Sequence, residues 1–201
     1  MKIGISINEV LRDFIGQFVY VYSHYEGSID IKEEDVTNFN LIEFFKFKDV
    51  DDMNRFLYLE NCLEIFGHAD QLHDGIMNQF NLFLMNMKDE ELHEIELVSR
   101  EAYKSIPSTL FFLSKTACRA ENIRFVQDHV DKWKGLDVLI TANPKALENK
   151  PSGKISVKVK ASYNKDVKAD FEIDSLMDFM KNETLRESIL NTITTTYEEI
   201  K

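Results

Sequence analysis

Three prolines and seven glycines in 201 residues leave this chain with little punctuation. Tight turns depend on those residues, so their scarcity favours long helices over a many-stranded β fold. Cysteine is equally sparse. Cys62 and Cys118 stand apart with no CxxC spacing, which excludes a disulfide framework and a thiolate zinc site. Both are expected to be free thiols, in a protein made in a reducing compartment. There is no apolar run of membrane-spanning length and no charged segment leading into a short apolar one. The expectation is a soluble protein, cytoplasmic when synthesised, with no membrane partner. Positive charge is also in deficit, with 24 Lys and Arg against 35 Asp and Glu and a net charge of -11. Such a surface repels phosphate backbones and argues against a nucleic-acid partner. No Gly-rich phosphate loop and no G-x-S-x-G turn occurs.

What the chain does have is apolar bulk, at 44% hydrophobic residues with 15 Phe and 7 Tyr. That is ample for a core and excludes a disordered chain. Met1–Asn8 reads as a short apolar strand, followed by a helix carrying Leu11, Phe14, Ile15, Phe18 and Tyr22 at helical spacing. Residues 29–32 could form a strand. Three helical patterns follow: Met53 to Phe66 with Gly67 as its stop, Leu72 to Met87, and a charged one on Leu92, Ile95 and Val98. After Pro107, Thr109–Ser114 reads as a buried strand, and Ile123, Val126, Val130 and Trp133 as a helical stripe. Asp137–Thr141 reads as a second buried strand and Lys154–Lys160 as an alternating one. The tail from Ser175 looks helical, with a break near Asn182. His68 and His73, five apart, point in different directions on a helix and make a poor metal pair.

Strands and helices alternating at both ends of a helical block predict an α/β fold with a parallel sheet. In such sheets ligands gather at the carboxyl ends of the strands. Those ends are expected at Ser6–Asn8, Ser114 and Thr141-Ala142.

The opening, Ile3-Gly4-Ile5-Ser6-Ile7-Asn8 running into Val10-Leu11-Arg12-Asp13-Phe14, resembles the first motif of the haloacid-dehalogenase (HAD) superfamily, in its nucleotidase-like branch. Ser6 stands where that family has its nucleophilic aspartate, and Asn8 where it has the acid/base aspartate. Leu110–Ser114 resembles the second motif, whose Ser or Thr bonds the transferring phosphoryl group. Arg124 is the candidate for the third-motif cation. Asp137–Pro144 resembles the fourth motif, with Thr141-Ala142 in place of the Asp pair that holds magnesium. The resemblance implies a HAD-like (Rossmannoid) parallel sheet with helices on both faces, built from 1–24 and 108–201. A mainly helical, cap-like insertion would occupy 25–107.

A phosphoaspartyl reaction needs a carboxylate nucleophile, a second carboxyl to move a proton, and acidic magnesium ligands. Ser6, Asn8, Thr141 and Ala142 supply none of these, so no catalytic residue and no metal site are expected. Ser6 could attack only with a base beside it, and no His or carboxylate is placed by sequence to serve. Ser114 and Arg124 would remain as a vestigial phosphate site. The reading is a catalytically inactive HAD-like protein with an assembly role, binding other subunits as a homo-oligomer or in a larger complex. Phe80, Phe83 and Met87 are the expected interface, because the helical block holds more apolar residues than one face per helix uses. The Asn-, Lys-, Ile- and Phe-rich style resembles that of proteins from AT-rich bacteriophage genomes, which suggests a virion ring or connector component. Two alternatives stand beside it: a magnesium-dependent nucleotide phosphatase with rewired carboxylates such as Glu9, and a module that senses a phosphorylated ligand.

Overall fold

The computed structural model describes residues 1–27, 30–89 and 93–199. Six strands form one sheet: β1 (Lys2–Ser6), β2 (Glu94–Arg100), β3 (Asn122–Val126), β4 (Val138–Thr141), β5 (Ile155–Val159) and β6 (Phe171–Ile173). Their order is β3-β2-β1-β4-β5-β6, and every neighbouring pair is parallel. The central strands are buried from end to end, as parallel strands covered on both faces must be.

Alternation along the strands separates the two faces. Ile3, Ile5, Leu97, Val138, Ile140 and Val157 join one large core with Phe179, Leu176 and Ile189. These last come from α6 (Leu176–Lys181) and α7 (Glu183–Glu199), beside α3 (Ile76–Asp89). Val98 and Leu139 face the other way, against Trp133, Leu136 and Ala146. That smaller layer comes from the 3₁₀ turn Val130–Trp133 and from α5 (Pro144–Glu148). Gly4 sits between the layers because a Cβ there would collide with the Leu136 side chain.

The chain leaves the sheet through a neck. Leu11–Asp13 runs beside residues 70–72, with Asp13 N–H donating to the Asp70 carbonyl at 3.0 Å and Leu72 N–H to the Leu11 carbonyl at 3.0 Å. Between the two legs lie α1 (Phe14–Glu26), α2 (Val50–Arg55) and two π-helical turns, Phe56–Glu60 and Leu63–Gly67. Phe18, Tyr22, Phe45, Phe47 and Phe56 stack there into an aromatic core.

Several expectations need correction. Thr109–Ser114 belongs to a helix, α4 (Ser105–Lys115), and not to a strand. The strand beside β1 is instead β2, where a charged helix was expected; the Leu92 of that pattern lies outside the described residues. The stripe through Ile123 and Val126 is β3 followed by a 3₁₀ turn. Residues 30–32 form no strand, and Ile29 lies outside the described residues. These shifts move the boundaries. β2 lies in the sheet although it falls within 25–107, α3 packs through Phe83 onto Phe179 of α6, and the neck puts α1 on the insertion's side.

Phe80, Phe83 and Met87 are buried inside the monomer. Their apolar surplus fills the sheet-facing side of α3, so they offer no partner face. Gly4→Ala should lower stability by about 1–3 kcal/mol through overpacking against Leu136. Urea unfolding would show this as an earlier midpoint with an unchanged slope.

Candidate functional site

The site begins where β1 runs out. Ser6 ends the strand, and Ile7 to Arg12 curl into a tight loop in which the Ile7 carbonyl accepts from the amides of Leu11 and Arg12, both at 3.0 Å. Glu9 takes a left-handed conformation there, φ 55°, a region L-residues enter only at a cost. Its carboxylate does not face Ser6. It accepts from the amides of Phe14 and Ile15, each at 2.8 Å, at the start of α1. Burial pushes the Glu9 carboxyl up to about 8, with Asp13 and Glu33 adding to the rise and the two amides opposing it. Glu9, Asp13 and Glu33 bring ligand atoms within 4.8 Å of one another. The proposed rewired carboxylate is therefore tied to the helix start.

Ser6 lies at the meeting point of three elements. Its hydroxyl donates to Thr141 Oγ1 at the end of β4, 2.8 Å away. Lys132 Nζ, from the turn Val130–Trp133, donates to Ser6 Oγ at 3.2 Å. All three residues are buried. Burial lowers the Lys132 ammonium to about 8, with Glu101 opposing and Arg100 assisting. The turn is held in place by Arg124, whose guanidinium donates to the carbonyls of Asp131 at 2.8 Å and Lys132 at 3.1 Å and pairs with Glu96 at 2.8 Å.

Against Asn8 sits a fully buried cation. Arg12 donates from Nε to Asn8 Oδ1 at 2.9 Å, from Nη1 to the Phe66 carbonyl at 2.9 Å and Thr109 Oγ1 at 2.8 Å, and from Nη2 to Glu101 at 3.1 Å and to Asn8. Ser99 and Thr109 add hydroxyl bonds to the same Glu101 oxygen, each at 2.9 Å. The other Glu101 oxygen is buried without a hydrogen-bond partner among the described residues. Phe66 and Phe112 lie against the guanidinium, their centroids 5.1 and 5.3 Å from it.

Of the residues expected at the site, the structure brings Ser6, Asn8, Thr141 and Ala142 to the same strand ends. Ala142 contributes its carbonyl, which accepts from Asn164 Nδ2 at 2.9 Å. Ser114 and Arg124 are not in the site. Ser114 is exposed near the end of α4, and Arg124 supports the lysine turn from the edge strand. Near the strand ends stand instead Ser99, the next-to-last residue of β2, and Lys132. The run Ile95-Glu96-Leu97-Val98-Ser99, apolar but for Glu96 and ending in a hydroxyl, was the signal for the first; nothing local distinguished Lys132 from its neighbours.

A cavity of about 840 Å³ opens over these strand ends toward the insertion. Asn8, Tyr58, Arg100, His129, Lys132 and Lys145 line it, with acidic Glu148 and Asp166 also on its wall. Burial first, then Lys132 and other cations, lowers His129 to about 3, so its ring is neutral at ordinary pH. Magnesium does not fit the centre. Hard divalent cations need carboxylate oxygen, and the oxygens here are hydroxyls and amides facing two fixed cations.

Two solved structures share this architecture. A phosphonoacetaldehyde hydrolase-like protein from Oleispira antarctica superposes with a TM-score of 0.59 at 13% identity, over 96% of this chain and 93% of that one. A haloacid dehalogenase-like hydrolase from Burkholderia xenovorans gives 0.59 at 9% identity, over 92% of this chain and 96% of its own. The fold is HAD-like. No family profile and no curated protein matches the sequence.

Arg12→Met should cost about 3–5 kcal/mol, because it leaves Glu101 buried and unpaired. Arg12→Met with Glu101→Gln should recover part of that loss in urea unfolding. Glu9 gives a pH signature of defined sign. Its folded value of about 8 lies above the ordinary 4.5, so the folded state holds the proton longer, and this residue's contribution falls as pH rises between those values. Glu9→Gln should flatten that decline when Tm is followed across the interval.

Proposed function

We propose that this HAD-fold protein does not run the phosphoaspartyl reaction and serves as a structural subunit of a protein assembly, without phosphatase activity. One observation carries the first half. The centre that would need four acidic groups holds Ser6, Asn8, Thr141 and Ala142, with the Arg12 guanidinium on Asn8 and the Lys132 ammonium on Ser6. Two fixed cations repel a metal and leave no carboxylate nucleophile.

The second half rests on surface. With Phe80, Phe83 and Met87 interior, the exposed large apolar groups among the described residues include Leu59, Leu63, Leu110 and Phe111. Leu63 and Phe111 both border Gly67, where the second π-helical turn meets α4. A second copy of the chain is the partner this reading commits to, and a virion ring or connector is its sharper form, supported by the sequence style. Light scattering should find a species larger than the monomer, and Phe111→Asp should reduce it to the monomer with Tm unchanged. Assayed with p-nitrophenyl phosphate and Mg²⁺, the protein should show no turnover, and calorimetry should show no saturable Mg²⁺ binding. Turnover by a monomer would sink the reading.

The cavity favours a second reading, in which a phosphorylated ligand is held without hydrolysis. Lys132, Arg100 and Lys145 supply the cations for it. Titration with inorganic phosphate should then give binding that Lys132→Gln abolishes.

A further inference from the structure

The loss of the aspartate pair does not leave the centre without a nucleophile. We propose that Ser6 and Lys132 form a serine–lysine pair able to accept a small acyl group from a carboxylic ester, an activity separate from phosphate chemistry. The pair is built, not incidental. Lys132 Nζ lies 3.2 Å from Ser6 Oγ, Thr141 fixes the hydroxyl from the opposite side at 2.8 Å, and Arg124 clamps the carbonyls of the lysine's own turn. Serine–lysine pairs use the neutral amine as base, where other enzymes use histidine.

The proton inventory allows it. As an ammonium, Lys132 donates to Ser6 and cannot accept from it. The charged and titratable groups around it are Arg100 at the end of β2, Glu101 just after it, the Arg124 guanidinium on its carbonyl, and the neutral His129 just before its turn. Burial outweighs the attraction of Glu101 and brings the amine to about 8. Once neutral, Nζ becomes an acceptor, and the Ser6 proton can swing from Thr141 to nitrogen. Ser6 Oγ then bonds the ester carbon. The ester C–O bond breaks, and the alkoxide leaves with the proton that Lys132 took. Water, deprotonated by the same amine, later releases the acid and restores Ser6.

Size follows from position. Lys132 borders the cavity, whereas Ser6 is 1% exposed and sits one side chain behind it. Only a small acyl group, such as acetyl, reaches it.

The test is p-nitrophenyl acetate on the full chain, with the adduct located by peptide mass mapping. Expected are nitrophenolate release, an acetyl group on Ser6, no adduct in Ser6→Ala, and a labelling rate that rises as pH passes through about 8. Lys132→Arg preserves the buried cation and its hydrogen bond but cannot give up its proton. If Lys132 is the base, labelling slows roughly a hundredfold in that variant; if its role is only structural, the rate is unchanged and the proposal is overturned. Wild-type protein with no acetyl on Ser6, or with acetyl on Lys132 itself, overturns it equally. Phosphate binding and oligomer size are read separately, so their outcome does not bear on this one.

Discussion

A guanidinium with no exposure to water is the constraint around which this molecule is arranged. Arg12 lies in the neck, one residue before the chain passes into the insertion, and removing its charge from solvent is expensive unless every donor is met. The partners that meet it come from four places. Asn8 belongs to the loop after β1, Phe66 to the insertion, Thr109 to α4 and Glu101 to the segment after β2. Together they tie the insertion to the carboxyl edge of the sheet and engage the Asn8 side-chain oxygen with the cation.

Charge at the strand ends follows from that arrangement. The centre keeps a hydrogen-bonded cluster of hydroxyls with Lys132 pressed against it, and Glu101 supplies compensating negative charge to Arg12 and Lys132. A site built on carboxylates and a divalent ion has its charges inverted here, with the cations covalently attached. In that setting a buried amine close to a hydroxyl can lose its proton where an exposed one would not. Glu9 shows the same physics on the acidic side. A helix start with two amides favours its ionised form, yet burial wins.

The insertion explains the aromatic surplus. Phe18 meets Phe45 edge-on at 4.5 Å, and Tyr22 meets Phe45 at 4.9 Å and Phe47 at 5.2 Å. The described residues of the insertion form no strand and only short helices around α1, so its core is built from large rings, with few regular faces to interdigitate. Much of the apolar excess is therefore interior packing, through Phe80, Phe83 and Met87 in α3 and the aromatic rings in the insertion.

Local pattern was enough wherever one strand met one turn. β1, β4 and β5, the final pair of helices, the absence of acidic groups at Ser6, Asn8, Thr141 and Ala142, and the α/β class were all legible, because period, punctuation and residue type are local properties. The sequence alone could not tell α4 from a strand. Thr109-Leu110-Phe111-Phe112-Leu113 is apolar enough for either, and only packing against the turn Leu63–Gly67 settles it as a helix. It also misassigned β2, whose charged residues pair across the sheet edge, Glu96 with Arg124 and Lys2. The amine beside Ser6 was beyond reach for a simpler reason. Lys132 is 126 residues away along the chain, and the distance between a hydroxyl and an amine is decided by which strands lie side by side.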